Sequence, residues 1–435
     1  MAVDTGLTPP PAPALFTDRY ELTMVAAALA DGTADRQCVF EVFARRLPHG
    51  RRYGVLAGTG RLLEALPHFR FGDGELAALR EQGLTDARLL DWLADFRFSG
   101  DIDGYAEGEL YFPGSPVLTV RASFAEGVLL ETLALSVLNH DSAIASAAAR
   151  MISAACHRPC IEMGSRRTHE EAAVAAARAA HLVGFATSSN LEAGRRYAVP
   201  TTGTSAHAFT LLHDDERSAF EAQVAALGTG TTLLVDTYDV EQGIRTAVEV
   251  AGPELGGIRL DSGDLPTLAT RARELLDELG ATSTRIVVTS DLDEYAIAGL
   301  AAAPVDGYGV GTSLVTGSGA PTVGMVYKLV ERDGVPVAKR SEGKRSVGGR
   351  KSAVRRHDAD GVATAELVTA DAVAARAGDR DLLVPLVRGG EICDPLSPAE
   401  SLQRAKAHHL QVRAALPAEA FALSRGEPVL DTVPA

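Results

Sequence analysis

The sequence predicts an α/β protein, a (βα) barrel with a second α/β (α+β) domain formed by its N-terminal and C-terminal segments. Three observations point there. Across the middle of the chain, short β-prone runs alternate with alanine-rich helical stretches, a rhythm that implies βα units and a parallel sheet. Polar residues gather where each run ends, as they do at the carboxyl-terminal rim of barrel enzymes. The flanking segments lack this rhythm. The eight strand candidates suggest a closed or nearly closed barrel, with an open doubly wound sheet as the alternative.

Residues 15–125 read as the N-terminal α/β domain, with an amphipathic helix at 19–30, strands near 38–44 and 110–120, and frequent Gly and Pro punctuation. The barrel domain is placed at 126–334 and entered through a long helical segment at 126–151. Its strand candidates are 159–163, 183–187, 197–200, 232–236, 257–260, 285–289, 305–310 and 325–330. Thr168 and Glu171 read as a capping box before a helix at 169–181. Asp264 and Pro266 open a helix that stops at Gly280. Residues 335–435 are β-rich and basic, then form a polar helix near 397–415, and are expected to pack on the N-terminal domain. Pro9, Pro10, Pro11 and Pro13 suggest a loose N-terminal tail.

A chain of 435 residues suits one large and one smaller domain. It has no uncharged apolar stretch of the roughly 18 residues that a membrane span needs, and no basic region followed by an apolar run that would mark a secretory signal. The four cysteines, Cys38, Cys156, Cys160 and Cys393, fit the thiols of a cytoplasmic protein. Cys156, His157 and Cys160 lie close together, but a zinc site needs a second pair that the chain lacks, so ordinary buried thiols are expected. A formal charge of −15 argues against a nucleic-acid partner. Anionic substrates would then require locally concentrated positive potential.

Four segments carry candidate chemistry. In Thr202-Gly203-Thr204-Ser205-Ala206-His207, small residues let backbone amides and hydroxyls approach a phosphate, and the histidine is placed to accept a phosphoryl group; a strand-end loop with a satisfied histidine is the plainer reading. In Arg259-Leu260-Asp261-Ser262-Gly263-Asp264, the guanidinium suits phosphate and Asp261 suits ribose hydroxyls or magnesium waters, while Asp264 is expected to cap the next helix. Gly309-Val310-Gly311-Thr312-Ser313-Leu314 matches the late-strand phosphate site of barrels. Glu162-Met163-Gly164-Ser165-Arg166-Arg167 offers paired arginines for a pyrophosphate, or else solvated ones.

Together with Leu15-Phe16-Thr17-Asp18-Arg19-Tyr20-Glu21-Leu22-Thr23-Met24, Phe98-Ser99-Gly100-Asp101-Ile102, the run from Glu131-Thr132-Leu133 to Asn139-His140, and Ser341-Glu342-Gly343-Lys344-Arg345, these motifs resemble the nicotinate phosphoribosyltransferase family of type II phosphoribosyltransferases. The likeness spans about residues 15–356. It implies an irregular α/β barrel and a homodimer with shared sites. It also implies synthesis of nicotinate mononucleotide from nicotinate and phosphoribosyl pyrophosphate, with ATP as co-substrate and Mg²⁺ as cofactor. His207 would be phosphorylated by ATP. Tyr20 would stack on the pyridine from the partner chain, Arg166 would contact diphosphate, and Asp291 would hold ribose. Arg259 would contact substrate, and Gly311 with Thr312 would hold the 5′-phosphate, with Thr204 in the phosphate loop. Met163 stands where the family usually has phenylalanine. Ser189, in Ser188-Ser189-Asn190, falls where nicotinamide-using relatives carry aspartate, so nicotinate is the expected substrate and nicotinamide the alternative.

The implied chemistry is displacement at the anomeric carbon, with the leaving diphosphate stabilised by Mg²⁺ and Arg166. Three rivals are weaker. A type I phosphoribosyltransferase would need adjacent acids and a Thr-Gly turn, which Leu233-Leu234-Val235-Asp236-Thr237-Tyr238-Asp239 lacks. A barrel aldolase or isomerase would need a lysine or an acid-base pair at the mouth, and Lys328 is the exception among strand ends. The basic stretch 339–356 lacks the aromatic interleaving of a nucleic-acid surface and reads as a solvated β-hairpin.

Overall fold

The computed structural model describes residues 13–339, 347–370 and 376–434. Pro9 to Pro11, and the Ser341–Arg345 motif, lie outside the described residues. The chain divides into two compact units, one comprising 1–143 and 322–435, the other 144–321.

The second unit is built on a six-stranded parallel half-barrel sheet in the order Thr187–Ser188, Cys160–Glu162, Gly307–Val310, Arg285–Val288, Gly257–Leu260, Thr232–Leu234. Its strands are short and apolar because both faces are covered, as expected of parallel sheets. Ile258, Leu260, Ile286, Val288, Tyr308 and Val310 are all fully buried. Helices return the chain between strands. Val240–Ala251 turns Ile244, Ala247 and Val248 inward, and starts where Asp239 accepts a hydrogen bond from the Gln242 amide at 2.9 Å.

Two expected strands of this sheet are absent from it. The run 325–330 forms part of Met325–Arg332, which pairs antiparallel with Gln37–Ala44 in the other unit. Of the run 197–200, Tyr197 ends the helix Leu191–Tyr197 and 198–200 form no regular element, and only a single bridge from Ser188 to Thr201 continues the sheet there. Local propensity was the same in both cases, and pairing partners decided the outcome. The helix Glu170–Leu182 is capped by His169, whose Nδ1 accepts from the Glu171 amide at 3.3 Å, and not by Thr168. Asp264 occupies a cap position but accepts the Thr267 hydroxyl at 2.8 Å, leaving the amides uncapped by its side chain.

The first unit carries a seven-stranded antiparallel sheet in the order Val335–Pro336, Met325–Arg332, Gln37–Ala44, Leu118–Ser123, Asp101–Tyr105, Leu383–Arg388, Glu391–Ile392. Phe40 and Tyr327 stack across it with ring centroids 5.0 Å apart. The helix Phe124–Leu129 lies so close to this pair that a Cβ on Gly127 would fall 2.4 Å from the Phe40 ring. A smaller sheet includes Ser352–His357, and at this end of the basic stretch the expectation of a solvated hairpin fails, while 340–346 lie outside the described residues. Arg355 is buried against Glu366 at 2.6 Å, Lys351 pairs with the buried Glu41 at 2.6 Å, and Arg356 pairs with Asp379 at 3.2 Å. Glu109 accepts from Arg380 at 2.6 Å and meets His408 at 2.9 Å.

Cys38 and Cys160 are buried as expected, whereas Cys156 and Cys393 are exposed. Among the described residues, no helix is long and apolar enough to cross a membrane.

Candidate active site

The carboxyl ends of the parallel strands converge on a cavity of about 220 Å³. Met163, Arg166, Asp261, Asp291, Gly311 and Thr312 line it, along with Arg167, Thr289, Ser290 and Gly309. Four segments far apart in sequence therefore meet at one place, as side chains at the same end of adjacent parallel strands must. Gly309 faces this cavity from its strand, and a Cβ there would lie 2.4 Å from Thr289 Cγ2 and 2.8 Å from Met163 Sδ. The space is therefore set by a missing side chain. Ser290 has φ of 128°, a conformation that costs a non-glycine residue roughly 1–3 kcal/mol and that recurs at functional turns.

Beside the cavity runs a chain of hydrogen bonds. The Thr289 hydroxyl donates to Asp261 Oδ1. The Asp261 amide donates to Asp236 Oδ2 at 2.8 Å, and the Ser262 hydroxyl donates to the same oxygen at 2.7 Å. The other oxygen, Oδ1, lies 3.1 Å from His207 Nε2. The Asp236 side chain is almost completely buried and that of His207 is 39% exposed. A carboxylate held by donors on one oxygen thus fixes the imidazole with the other.

Arg259 closes the arrangement. Its Nη1 donates to the Thr204 hydroxyl at 2.5 Å, which joins the strand Gly257–Leu260 to the loop before His207. Its buried Nε has no partner among the described residues. Burial lowers the guanidinium pKa; Asp261 and Asp236 oppose that shift, and nearby Arg166 reinforces it. Two guanidinium groups near enough to oppose one another's charge favour an anion beside them.

Glu162 supports the floor. Fully buried, it accepts the Ser188 hydroxyl at 2.5 Å and the Gly164 amide, and burial raises its pKa. Ser189 stands exposed after the strand Thr187–Ser188, its amide donating to the Glu162 carbonyl at 2.9 Å. Among the described residues, no group of three or more His, Cys, Asp or Glu side chains is placed to hold a metal ion. The cavity does carry two carboxylates, Asp261 and Asp291, which suits a magnesium ion bound mainly by substrate phosphates.

Comparison with known proteins resolves the family. The model of the nicotinate phosphoribosyltransferase (NAPRTase) N-terminal domain matches residues 15–139. Nicotinate phosphoribosyltransferase pncB1 of Mycobacterium tuberculosis is 63% identical over 430 residues, covering 96% of this chain and 94% of the relative. The chain belongs to the nicotinate phosphoribosyltransferase family. Nicotinate phosphoribosyltransferase pncB2 of the same organism is 44% identical over 354 residues, covering 79% of this chain and 75% of the relative. The crystal structure of human nicotinic acid phosphoribosyltransferase superposes with a TM-score of 0.82 at 27% identity, covering 95% of this chain and 96% of that one.

In this nicotinate phosphoribosyltransferase family member, six expected site residues share the cavity: Met163, Arg166, Asp261, Asp291, Gly311 and Thr312. His207, Thr204 and Arg259 adjoin it through hydrogen bonds and charge, and Ser189 lies at the neighbouring strand end. Tyr20 belongs to the first unit, at the start of the helix Arg19–Asp31, and the residue is 46% exposed. Sequence reasoning missed Asp236, Thr289 and Glu162 as participants. Asp236 sits at a strand end like the other acids, and that position was its signal.

Proposed function

We propose that this chain makes nicotinate mononucleotide, diphosphate, ADP and phosphate from nicotinate, 5-phosphoribosyl 1-diphosphate, ATP and water, a reaction of NAD salvage. The observation that carries the proposal is the joining of an anion-suited cavity to an oriented histidine, through the Asp261–Asp236–His207 chain.

The pyridine nitrogen attacks the anomeric carbon while the C–O bond to diphosphate breaks, so positive charge grows on the ribose and negative charge on the leaving group. Arg166 and Arg259 supply fixed positive charge for the phosphates. Gly311 and Thr312, at the start of the helix Thr312–Val315, hold the 5′-phosphate, and Asp261 and Asp291 orient ribose hydroxyls. Mg²⁺, entering with the diphosphate, would be held by its phosphate oxygens and by Asp261, and would neutralise part of the leaving charge. Met163 forms an apolar wall for the pyridine. Ser189 adds no negative charge beside the substrate carboxylate, which favours nicotinate over nicotinamide.

His207 has a separate task. With Nε2–H donating to Asp236, its Nδ1 carries the free lone pair and attacks the γ-phosphorus of ATP, releasing ADP. Asp236 stabilises the cationic ring as that bond forms. Hydrolysis of the phosphohistidine then returns the site to its starting charge. In this reading the half-barrel belongs to an irregular (βα) barrel, and the protein works in the cytoplasm as a homodimer with Tyr20 supplied by the partner chain.

The direct test is mononucleotide formation from nicotinate or nicotinamide with phosphoribosyl pyrophosphate, with and without ATP. Nicotinate should react, and react faster with ATP. Product from nicotinamide alone would overturn the assignment.

A further inference from the structure

Glu162 ends the strand Cys160–Glu162 between the ends of two neighbours, paired with Ser188 on one side and Val310 on the other. Backbone pairing stops there, and the loops that follow carry Arg166 and Ser189. The Glu162 side chain is fully buried, and its two oxygens begin a closed ring of hydrogen bonds. Oε2 accepts the Ser188 hydroxyl at 2.5 Å, and the Ser188 oxygen in turn accepts the Asn190 amide at 2.9 Å. The Asn190 side-chain amide donates to the Ser165 hydroxyl at 3.0 Å, and the adjacent Gly164 amide donates back to Glu162 Oε1. Ser189 lies on one arc of this ring, and Arg166 leaves it as the second residue of the turn Ser165–Arg167. Gly164 is close-packed on its other side: a Cβ there would fall 2.2 Å from Val315 Cγ1 and 3.1 Å from the Gly311 carbonyl oxygen. The loop assigned to the 5′-phosphate therefore rests against the same ring. Neither Glu162 nor Ser188 is among the described residues that line the cavity.

We propose that Glu162 is a positioning residue that sets Arg166 and Ser189 relative to one another, so that diphosphate binding and the choice of nicotinate over nicotinamide depend on one buried carboxylate. This rests on the roles given to Arg166 and Ser189 above. An ionised carboxylate suits the task because it only accepts, and it has one oxygen for each loop. An apolar residue in its place would leave the buried Gly164 amide and Ser188 hydroxyl without their partner, which both loops would have to move to repair. A displacement of about 1 Å in a group that aligns a substrate can cost up to roughly a hundredfold in rate, so a residue outside the cavity can decide what binds in it. Glutamine at position 162 keeps an oxygen for the Gly164 amide and offers its NH2 group to the Ser188 oxygen, closing the ring with one bond reversed.

The experiment measures two quantities in full-length wild type, E162A, E162Q, S188A, R166A and S189D: the KM for phosphoribosyl pyrophosphate, and the ratio of kcat/KM for nicotinate to that for nicotinamide. E162A should raise the KM and lower the ratio, each roughly tenfold, the scale of one hydrogen bond to a charged group. E162Q should restore most of both. S188A cuts only the arm that leads to Ser189, so the ratio should fall roughly tenfold while the KM changes far less. A merely structural role would shrink the folded fraction, lowering kcat for both bases alike and leaving the KM and the ratio unmoved. Should E162A fail to fold, S188A decides. The role of Glu162 is overturned by a ratio within about twofold of wild type in S188A, or by a folded E162A with both quantities that close, while R166A raises the KM and S189D lowers the ratio. An E162Q protein as impaired as E162A would overturn it too, since charge and not the ring would then be responsible. If instead R166A leaves the KM unchanged, or S189D the ratio, the role given to that residue fails and this inference with it.

Discussion

A histidine with one ring nitrogen committed to a buried carboxylate has only the other to offer phosphorus. Asp236 fixes that choice in this chain, since its two oxygens are shared between His207 and the Asp261–Ser262 turn. Replacing Asp236 with Asn should lower ATP-stimulated synthesis by roughly a hundredfold or more, by analogy with other carboxylate-oriented histidines. Synthesis without ATP should fall far less, and steady-state rates under the two conditions measure the difference. A second prediction concerns Glu21. Burial raises its pKa from 4.5 to about 7, against the opposing hydrogen bonds of Thr132 and Thr17. A carboxyl whose pKa is raised by folding stabilises the fold fully below about pH 4.5, and this contribution is lost as pH rises towards 7. Melting temperature should therefore decline across that interval in wild type and decline less in Glu21→Gln. That the loops of His207, Arg259 and Thr312 gather at one end of the sheet was legible, because each follows a short apolar run and carries small or polar residues. Asp236 was marked only by its place at a strand end, because its hydrogen bonds to the next strand end and to His207 are encoded by no local pattern.

At the scale of elements, the strand Gly307–Val310 matters for what it omits. Gly309→Ala should push Met163 or Thr289 into the cavity, costing about 1–3 kcal/mol of stability and raising the KM for phosphoribosyl pyrophosphate. Thermal unfolding and saturation kinetics would measure both effects. Glu109 gives an elemental prediction in the other unit. Burial alone would raise its pKa, but hydrogen bonds from His408 and Arg380 and the charge of Arg355 hold it down to about 2. Glu109→Gln removes the buried counter-charge shared by Arg380 and His408, while Arg355 keeps Glu366, so a loss on the order of 3 kcal/mol is expected in chemical unfolding. In wild type, the stabilisation that Glu109 provides is lost as pH falls from 4.5 towards 2. Strands 257–260, 285–289 and 305–310 were readable because a covered parallel strand is a short apolar run between polar ends. The run at 325–330 has the same composition and a different fate, since Met325–Arg332 finds its partner in Gln37–Ala44. Composition specifies that a strand forms, whereas its sheet is chosen by contacts distant in sequence.

Across the whole molecule, a chain of net charge −15 is assigned two strongly anionic substrates. The conflict is resolved locally, because many acids are spent in ion pairs, such as Glu109 with Arg380 and Glu41 with Lys351, while Arg166 lines the cavity and Arg259 adjoins it. The α/β class and the parallel sheet were legible from the βα rhythm. The sheet order was not, because it depends on which chain ends meet. If Tyr20 serves the partner's site, subunits carrying Tyr20→Ala and subunits carrying His207→Ala should regain activity when mixed and allowed to exchange, since one of the two sites is then complete. The central claim, that His207 couples ATP to nucleotide synthesis, is tested most directly by measuring ADP and nicotinate mononucleotide together in wild type and His207→Ala. Wild type should form the two products in step, and the variant should release no ADP and lose the ATP stimulation. A His207→Ala protein that kept wild-type, ATP-stimulated synthesis would contradict the account.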